Sequence, residues 1–259
     1  MRLYVLVSPT HSPLFQDWFL PSLKEHHGDR IEVQVRYIPQ LCASGVYKEK
    51  GWTAAMLEKL SLIESAILEN WRGEFVYSDV DVQFLGDCLP TFTSLSTEID
   101  LHFQNDSPQG MLCAGFFHCR ANERTLAFWR RAAQRLKEGA FTGDQDAVNS
   151  LLRDPRPAWR KGLSRLLEGS SVALPSFARL PDSFFSAGTF TGQIWTPGQA
   201  VVVPESALVH HANWTKGVAA KIAQLAEVKN QMEKRVPSIA ASHGSVRQST
   251  GVLPCPNPT

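Results

Sequence analysis

The first 78 residues alternate two periodicities, and that alternation limits the chain to few folds. Leu3–Val7 is a short apolar run, too short for a signal-peptide core and suited to a buried strand. Ser12-Pro13 then opens a helix reaching about Leu23, with Ser12 as N-cap and Pro13 at the first helical position. Ile31–Tyr37 alternates apolar and polar residues, as a strand does. Met56, Leu60, Ile63 and Ile67 recur at spacings of four, three and four, which places them on one face of a helix. That helix ends near Gly73, and the strand Phe75–Ser78 follows at once. Strand, helix, strand, helix, strand in this order predicts a mainly parallel sheet with right-handed crossovers. In open sheets of this kind, ligands bind beyond the carboxyl ends of the strands.

At such an end stands Ser78-Asp79-Val80-Asp81. Residues two apart on an extended segment point the same way, so Asp79 and Asp81 present two carboxylates together. Like charges that close need a cation between them, and hard oxygen ligands suit Mg²⁺ or Mn²⁺. A carboxylate pair alone is weak evidence, because a solvated turn accounts for it equally well.

The remaining chain adds segments that bear on this pair. Asp100–Gln104 and Leu112–Cys119 read as strands, and small residues in Cys113-Ala114-Gly115 allow a close approach by a ligand or by a packed neighbour. Leu126, Trp129, Ala133 and Leu136 mark an amphipathic helix. Asp144–Leu152 reads as a short helix, with Asp144 as N-cap and Gln145 able both to donate and to accept. Leu174–Gln199 reads as loop with short strands. Val209-His210-His211-Ala212-Asn213-Trp214-Thr215-Lys216-Gly217 sets two imidazoles, an amide and a lysine between a short strand at Ala207–His211 and a last helix. Imidazole completes a metal site that carboxylates have begun, and Lys216 with the free amides of the following helix can hold phosphate oxygens. Beyond Pro237 the chain is polar and turn-rich, so a domain over 1–236 and a flexible tail over 237–259 are expected.

Composition excludes several classes. A formal net charge of +1 argues against a nucleic-acid surface or charge-driven membrane attachment. No apolar run approaches the ~20 residues of a membrane span. Five cysteines without a C-x-x-C pair read as buried free thiols, as in a reducing cytoplasm.

In order, Ser78-Asp79-Val80-Asp81, the strand ending Ala114-Gly115-Phe116-Phe117, Asp144-Gln145-Asp146 and His211–Gly217 resemble the nucleotide-diphospho-sugar transferases. These are glycosyltransferases of the GT-A fold, near the retaining galactosyl- and xylosyltransferases, and the resemblance spans roughly Leu3 to Leu225. It implies a Rossmann-like α/β domain with a smaller mixed acceptor-side region. It also implies transfer of a sugar from a nucleotide-sugar donor, a UDP-sugar, to a glycan or other hydroxyl acceptor, with retention and with Mn²⁺ or Mg²⁺. Asp79, Asp81 and His211 match the metal ligands. Lys216, Gly217 and Asn213 match the loop that closes on the diphosphate. Asp144, Gln145 and Asp146 match residues beside the reacting sugar, Asp146 being placed to orient the acceptor hydroxyl. Ser8, Pro9 and Thr10 match the nucleoside-binding edge, Gly115 the donor side of its strand, and Lys59 a basic residue near the phosphates. Cys113 stands where the family often has asparagine. The competing readings are a sugar-nucleotide-binding protein without transfer and a metal-dependent nucleotidyltransferase; the latter lacks a Gly-rich phosphate loop here.

Overall fold

The computed structural model describes residues 1–43, 48–153 and 172–242, with side chains to Arg235. Six strands form the central sheet: β1 (Arg2–Val7), β2 (Glu32–Tyr37), β3 (Glu74–Ser78), β5 (Leu101–Asn105), β6 (Leu112–Arg120) and β7 (Phe177–Arg179). Their spatial order is β2-β1-β3-β6-β5-β7. Three pairings are parallel (β1 with β2, β1 with β3, β5 with β7), and two, those of β6, are antiparallel. The sheet is thus mostly parallel, as the alternation in the sequence predicts.

Both faces are covered, for the reason visible in β1. Leu3, Val5 and Val7 point to one side and Tyr4 to the other. The Tyr4 side packs on α2 (Trp52–Glu69), α4 (Glu123–Lys137) and α5 (Asp144–Leu152), through Leu60, Ile63, Phe128, Trp129 and Val148. The Leu3 side packs on the N-terminal helical segment through Leu14, Phe15, Phe19 and Leu23. That segment begins at Ser12 and ends as α1 (Leu20–His27), after a π-helical turn over Phe15–Phe19. Ser12 is not its N-cap. A 3₁₀ turn over Pro9–His11 runs straight into it, and the Ser12 N–H already donates to the Pro9 carbonyl. Gly28, at φ +55°, closes α1 in a conformation that favours glycine.

A second sheet, not anticipated from the sequence, has the order β4-β9-β8: β4 (Val82–Phe84), β9 (Val209–His211) and β8 (Phe184–Ser186). It sits beside the Leu3 face, with Val82, Phe84, Phe184 and Val209 in the same core. Short helices α3 (Leu89–Ser94) and α6 (Ala187–Thr191) complete this side. The last helix, α7 (Val218–Ser242), continues past the boundary expected at 236. The tail expected over 237–259 lies otherwise outside the described residues, as does Cys255. Cys42, Cys88, Cys113 and Cys119 are buried free thiols, as expected.

Candidate active site at the carboxyl ends of the parallel strands

β3 ends at Ser78, so Asp79 and Asp81 do not share one extended segment as the spacing suggested. They lie in a bend that carries the chain from the first sheet into β4 of the second. The Asp79 N–H donates to the Gly115 carbonyl at 2.7 Å, its last contact with the central sheet. Three residues on, Val82 pairs with His211 of β9, and the Ala212 N–H donates to the Asp81 carbonyl at 2.8 Å. This register, rather than anything local, brings His211 to Asp81 across 130 positions of sequence. The Nε2 atom of His211 is 3.2 Å from Asp81 Oδ1. One ligand atom from each of Asp79, Asp81 and His211 falls within 4.8 Å of the others.

The two adjacent histidines divide their tasks because successive side chains on a strand face opposite ways. His210 turns inward to Gln83 and Gln224, at 3.0 and 3.2 Å, and burial pushes its pKa down to about 3. His211 turns to the site. Its Nδ1 lies 3.0 Å from Gln104 Oε1 and 3.5 Å from Cys113 Sγ. Burial works against its charge, but Asp81 outweighs burial and raises its pKa well above the usual imidazole value. Gly115 makes room for this arrangement. A Cβ there would stand 2.5 Å from both Asp79 Oδ2 and His211 Cε1. The glycine is therefore required by the side chains that cross over it.

Two lysines balance the carboxylates. Lys59, buried on α2, lies 3.0 Å from Asp79 Oδ1 and 2.8 Å from Asp144 Oδ2. Burial disfavours its charge, yet Asp144 and Asp79 more than offset this, and its pKa is raised. Its ammonium is thus committed to two carboxylates where the clefts meet. The Tyr77 hydroxyl also donates to Asp79, at 2.9 Å. Asp144 is not the N-cap of α5; Gly143 is, and Asp144 in the first turn reaches Lys59 instead. Lys221, in the early turns of α7, lies 2.5 Å from Asp81 Oδ2. Burial alone would raise the Asp81 pKa; Lys221 and His211 hold it well below the carboxylate range. Two carboxylates and an imidazole, around a point that already draws an ammonium, suit a small divalent cation such as Mn²⁺ or Mg²⁺.

Two adjoining clefts share this centre. The smaller, about 110 Å³, is walled by Ser8, His11, Ile38, Gln40, Trp52 and Met56. The larger, about 420 Å³, holds Asp106, Gly115, Asp144, Gln145, Asp146, Asn213 and Lys216 among its walls. Both include Lys59, Asp79, Asp81 and Lys221. Of the expected nucleoside edge, Ser8 faces the cleft, whereas Thr10 contacts two cleft residues from behind. Its hydroxyl is 3.1 Å from His11 Nδ1 and its N–H donates to Gln40 Oε1. Pro9 opens the 3₁₀ turn, and neither it nor Thr10 is among the residues facing the cleft. Gly217, at φ +83°, forms the turn into α7 and does not line either cleft. Lys216 is exposed at the rim of the larger cleft.

Among the polar and charged cleft residues described, His11, Gln40, Asp106 and Lys221 carry no signal singled out in the sequence.

The profile of the nucleotide-diphospho-sugar transferases matches residues 21–225. The chain belongs to that family. It is therefore a glycosyltransferase, and the segments that suggested the family in the sequence lie around one pair of clefts. A search of curated protein sequences finds no significant match. Among solved structures, the apo form of the glycosyltransferase GlyE from Streptococcus pneumoniae is similar in fold, with a TM-score of 0.52, at 14% identity over 92% of this chain and 63% of that one. A glycosyltransferase involved in glycosylation of the major capsid of PBCV-1 aligns at 14% identity and a TM-score of 0.49 over 90% of this chain and 100% of that one. The galactosyltransferase LgtC, solved with donor and acceptor sugar analogues, aligns at 12% identity and 0.48 over 96% and 98%. The architecture is that of the GT-A glycosyltransferases.

Proposed function

We propose that the protein transfers a sugar from a UDP-sugar to a hydroxyl of a glycan or other acceptor, with a divalent metal and with retention of configuration. The observation that carries this reading is the meeting of Asp79, Asp81 and His211 where the two clefts join. The nucleoside fits the smaller cleft beside Ser8, His11 and Gln40. The diphosphate then lies over the joint, and the sugar enters the larger cleft against Gly115 and Gln145.

When bound, the metal supplies positive charge against the leaving diphosphate. Lys221 and Lys216 add charge that the protein itself provides, close to where negative charge grows. The bond between the anomeric carbon and the phosphate oxygen breaks, with its electron pair going to the phosphate. The acceptor oxygen bonds to the same carbon, and its proton passes to the departing phosphate. As the bond breaks, the ring becomes oxocarbenium-like, and the Gln145 carbonyl oxygen is the group placed to support it. The Gln145 amide is a poor nucleophile, which favours transfer on one face of the sugar. Asp146, on the wall of the same cleft, is the candidate to orient the acceptor hydroxyl.

The test is a panel of nucleotide sugars with Mn²⁺, reading nucleoside diphosphate release. UDP is the product expected, and Asp81→Ala or His211→Ala is expected to abolish its release. Unchanged turnover in these variants, or in chelator-treated protein, would sink the metal assignment.

A further inference from the structure

We propose that Asp106 is the positioning residue of sugar transfer: its carboxylate decides which end of the Gln145 amide faces the donor sugar, and it ties that glutamine to the His211–Gly217 segment. This rests on the function proposed above, which puts the donor sugar beside Gln145.

Asp106 directly follows β5 and is 2% exposed, at the back of the larger cleft. Gln145, Asn213, Ser186 and Trp214 converge on it. Gln145 Nε2 donates to Oδ2 at 2.8 Å, Asn213 Nδ2 donates to Oδ1 at 2.5 Å, and Ser186 Oγ donates to Oδ1 at 3.3 Å. The residue thus joins α5, the loop after β9 and the end of β8. Burial pushes the Asp106 pKa up, while the nearby His211 and the donors Asn213, Gln145 and Trp214 favour the charged form; as the carboxylate it only accepts hydrogen bonds, so it admits the NH₂ end of Gln145 and rejects the carbonyl end. The amide orientation follows from this partner, which fixes an assignment that geometry alone leaves ambiguous.

Gln145 Nε2 also lies 3.3 Å from Met111 Sδ, so both of its hydrogens have a partner. The carbonyl oxygen Oε1 has one weak partner, the Ala114 N–H at 3.4 Å, and keeps lone-pair capacity toward the cleft. An amide that donates to an anion is polarised, which makes its carbonyl oxygen more negative. A negative oxygen beside the anomeric carbon favours the positive charge that develops there. The helix beneath is held as firmly: Asn149 pairs both ways with the Leu112 backbone of β6, at 2.8 and 2.9 Å. Gln145 therefore has a fixed backbone and a fixed amide.

The test exchanges the partners. In Asp106→Asn, the new amide oxygen can still accept from Asn213, and its NH₂ then faces Gln145. That glutamine must flip and turn its own NH₂ toward the sugar. In Gln145→Glu, two carboxylates oppose each other. In the double variant Asp106→Asn/Gln145→Glu, the introduced amide donates to the introduced carboxylate, whose other oxygen faces the sugar again. Each single variant is expected to lose roughly 10- to 100-fold in kcat while UDP affinity in Mn²⁺ is unchanged. The double variant is expected to recover most of the loss, a reciprocal rescue that a merely structural role would not produce. Wild-type kcat in Asp106→Asn, or losses that add in the double variant, would overturn the assignment. Should Asp106→Asn fail to fold, the comparison of the double variant with Gln145→Glu still decides, because a double variant no faster overturns the proposal. Wild-type protein that releases no nucleoside diphosphate from any donor overturns the function itself. Wild-type release without rescue overturns only the role of Asp106.

Discussion

Replacing Lys59 by methionine removes one charge and keeps most of the stem that carries it. In the native site its Nζ stands 3.0 Å from Asp79 and 2.8 Å from Asp144, and Lys59 is 3% exposed. Removing one partner of a buried ion pair costs about 3–5 kcal/mol, because the other charge is left uncompensated. Asp144 is as buried as the lysine, but the Asp79 side chain is 33% exposed, so water shares part of the load. The lower end, about 3 kcal/mol, is therefore expected. At about 2–4 °C per kcal/mol for chains near this size, Tm falls by roughly 6–12 °C. Adding Asp144→Asn removes the stranded charge, so Lys59→Met/Asp144→Asn should melt above Lys59→Met alone. Thermal melts followed by circular dichroism at pH 7 measure both. A Lys59→Met protein that melts with the wild type, or a double variant that melts below the single, would refute the reasoning.

Three further outcomes follow from other parts of the molecule. Gly115→Ala forces a methyl to within 2.5 Å of Asp79 and His211; overpacking of about 1–3 kcal/mol and weaker Mn²⁺ binding by calorimetry are expected, and wild-type values in both would contradict the close approach. Lys221→Met removes the ammonium that holds Asp81; Mn²⁺ alone should then bind more tightly while UDP binds more weakly, and two changes of the same sign would count against Lys221 lying between both. His102 is buried opposite His118, and burial, then His118 and Arg120, push its pKa down to about 4. Because its folded pKa lies below the unfolded value of about 6.5, its contribution is complete above that pH and is lost as pH falls toward 4. Urea melts between pH 7 and 4.5 should show a shallower loss in His102→Leu, and equal slopes would exclude His102 as the sensitive group.

The sequence disclosed the parts that are periodic or contiguous. The helix face at Met56, Leu60, Ile63 and Ile67 and the alternating Ile31–Tyr37 mark elements of the fold directly. The helix Asp144–Leu152 has the bounds its sequence predicts. Pairing direction was less legible: β6 is antiparallel to both neighbours, and nothing in Leu112–Arg120 announces it. Of the second sheet, the sequence showed a short strand at Ala207–His211 and short strands within Leu174–Gln199, but not β4 or the pairing of the three, because strands of three residues are too short for a period to show. The cluster of Asp79, Asp81 and His211 was legible because two members stand two apart in sequence and the family resemblance supplies the third. Asp106 and Lys221 were not, since a lone carboxylate and a lone helical lysine look the same in sequence whether buried against a cleft or solvated. Their importance resides in partners about 39 and 140 positions away.

The pairing of β4 with β9 also has a consequence for the order in which the protein comes into being. Chains generally fold from the N-terminus as they are made. The two aspartates are in place once β3 and β4 exist, but the strand that pairs with their bend is not synthesised until residues 209–211, and the lysine that balances Asp81 comes ten residues later. A nascent or truncated chain ending before that point carries clustered carboxylates with neither imidazole nor ammonium from the C-terminal part to offset them. The site closes late, and a chain cut short of it lacks His211 and the strand on which that imidazole is carried.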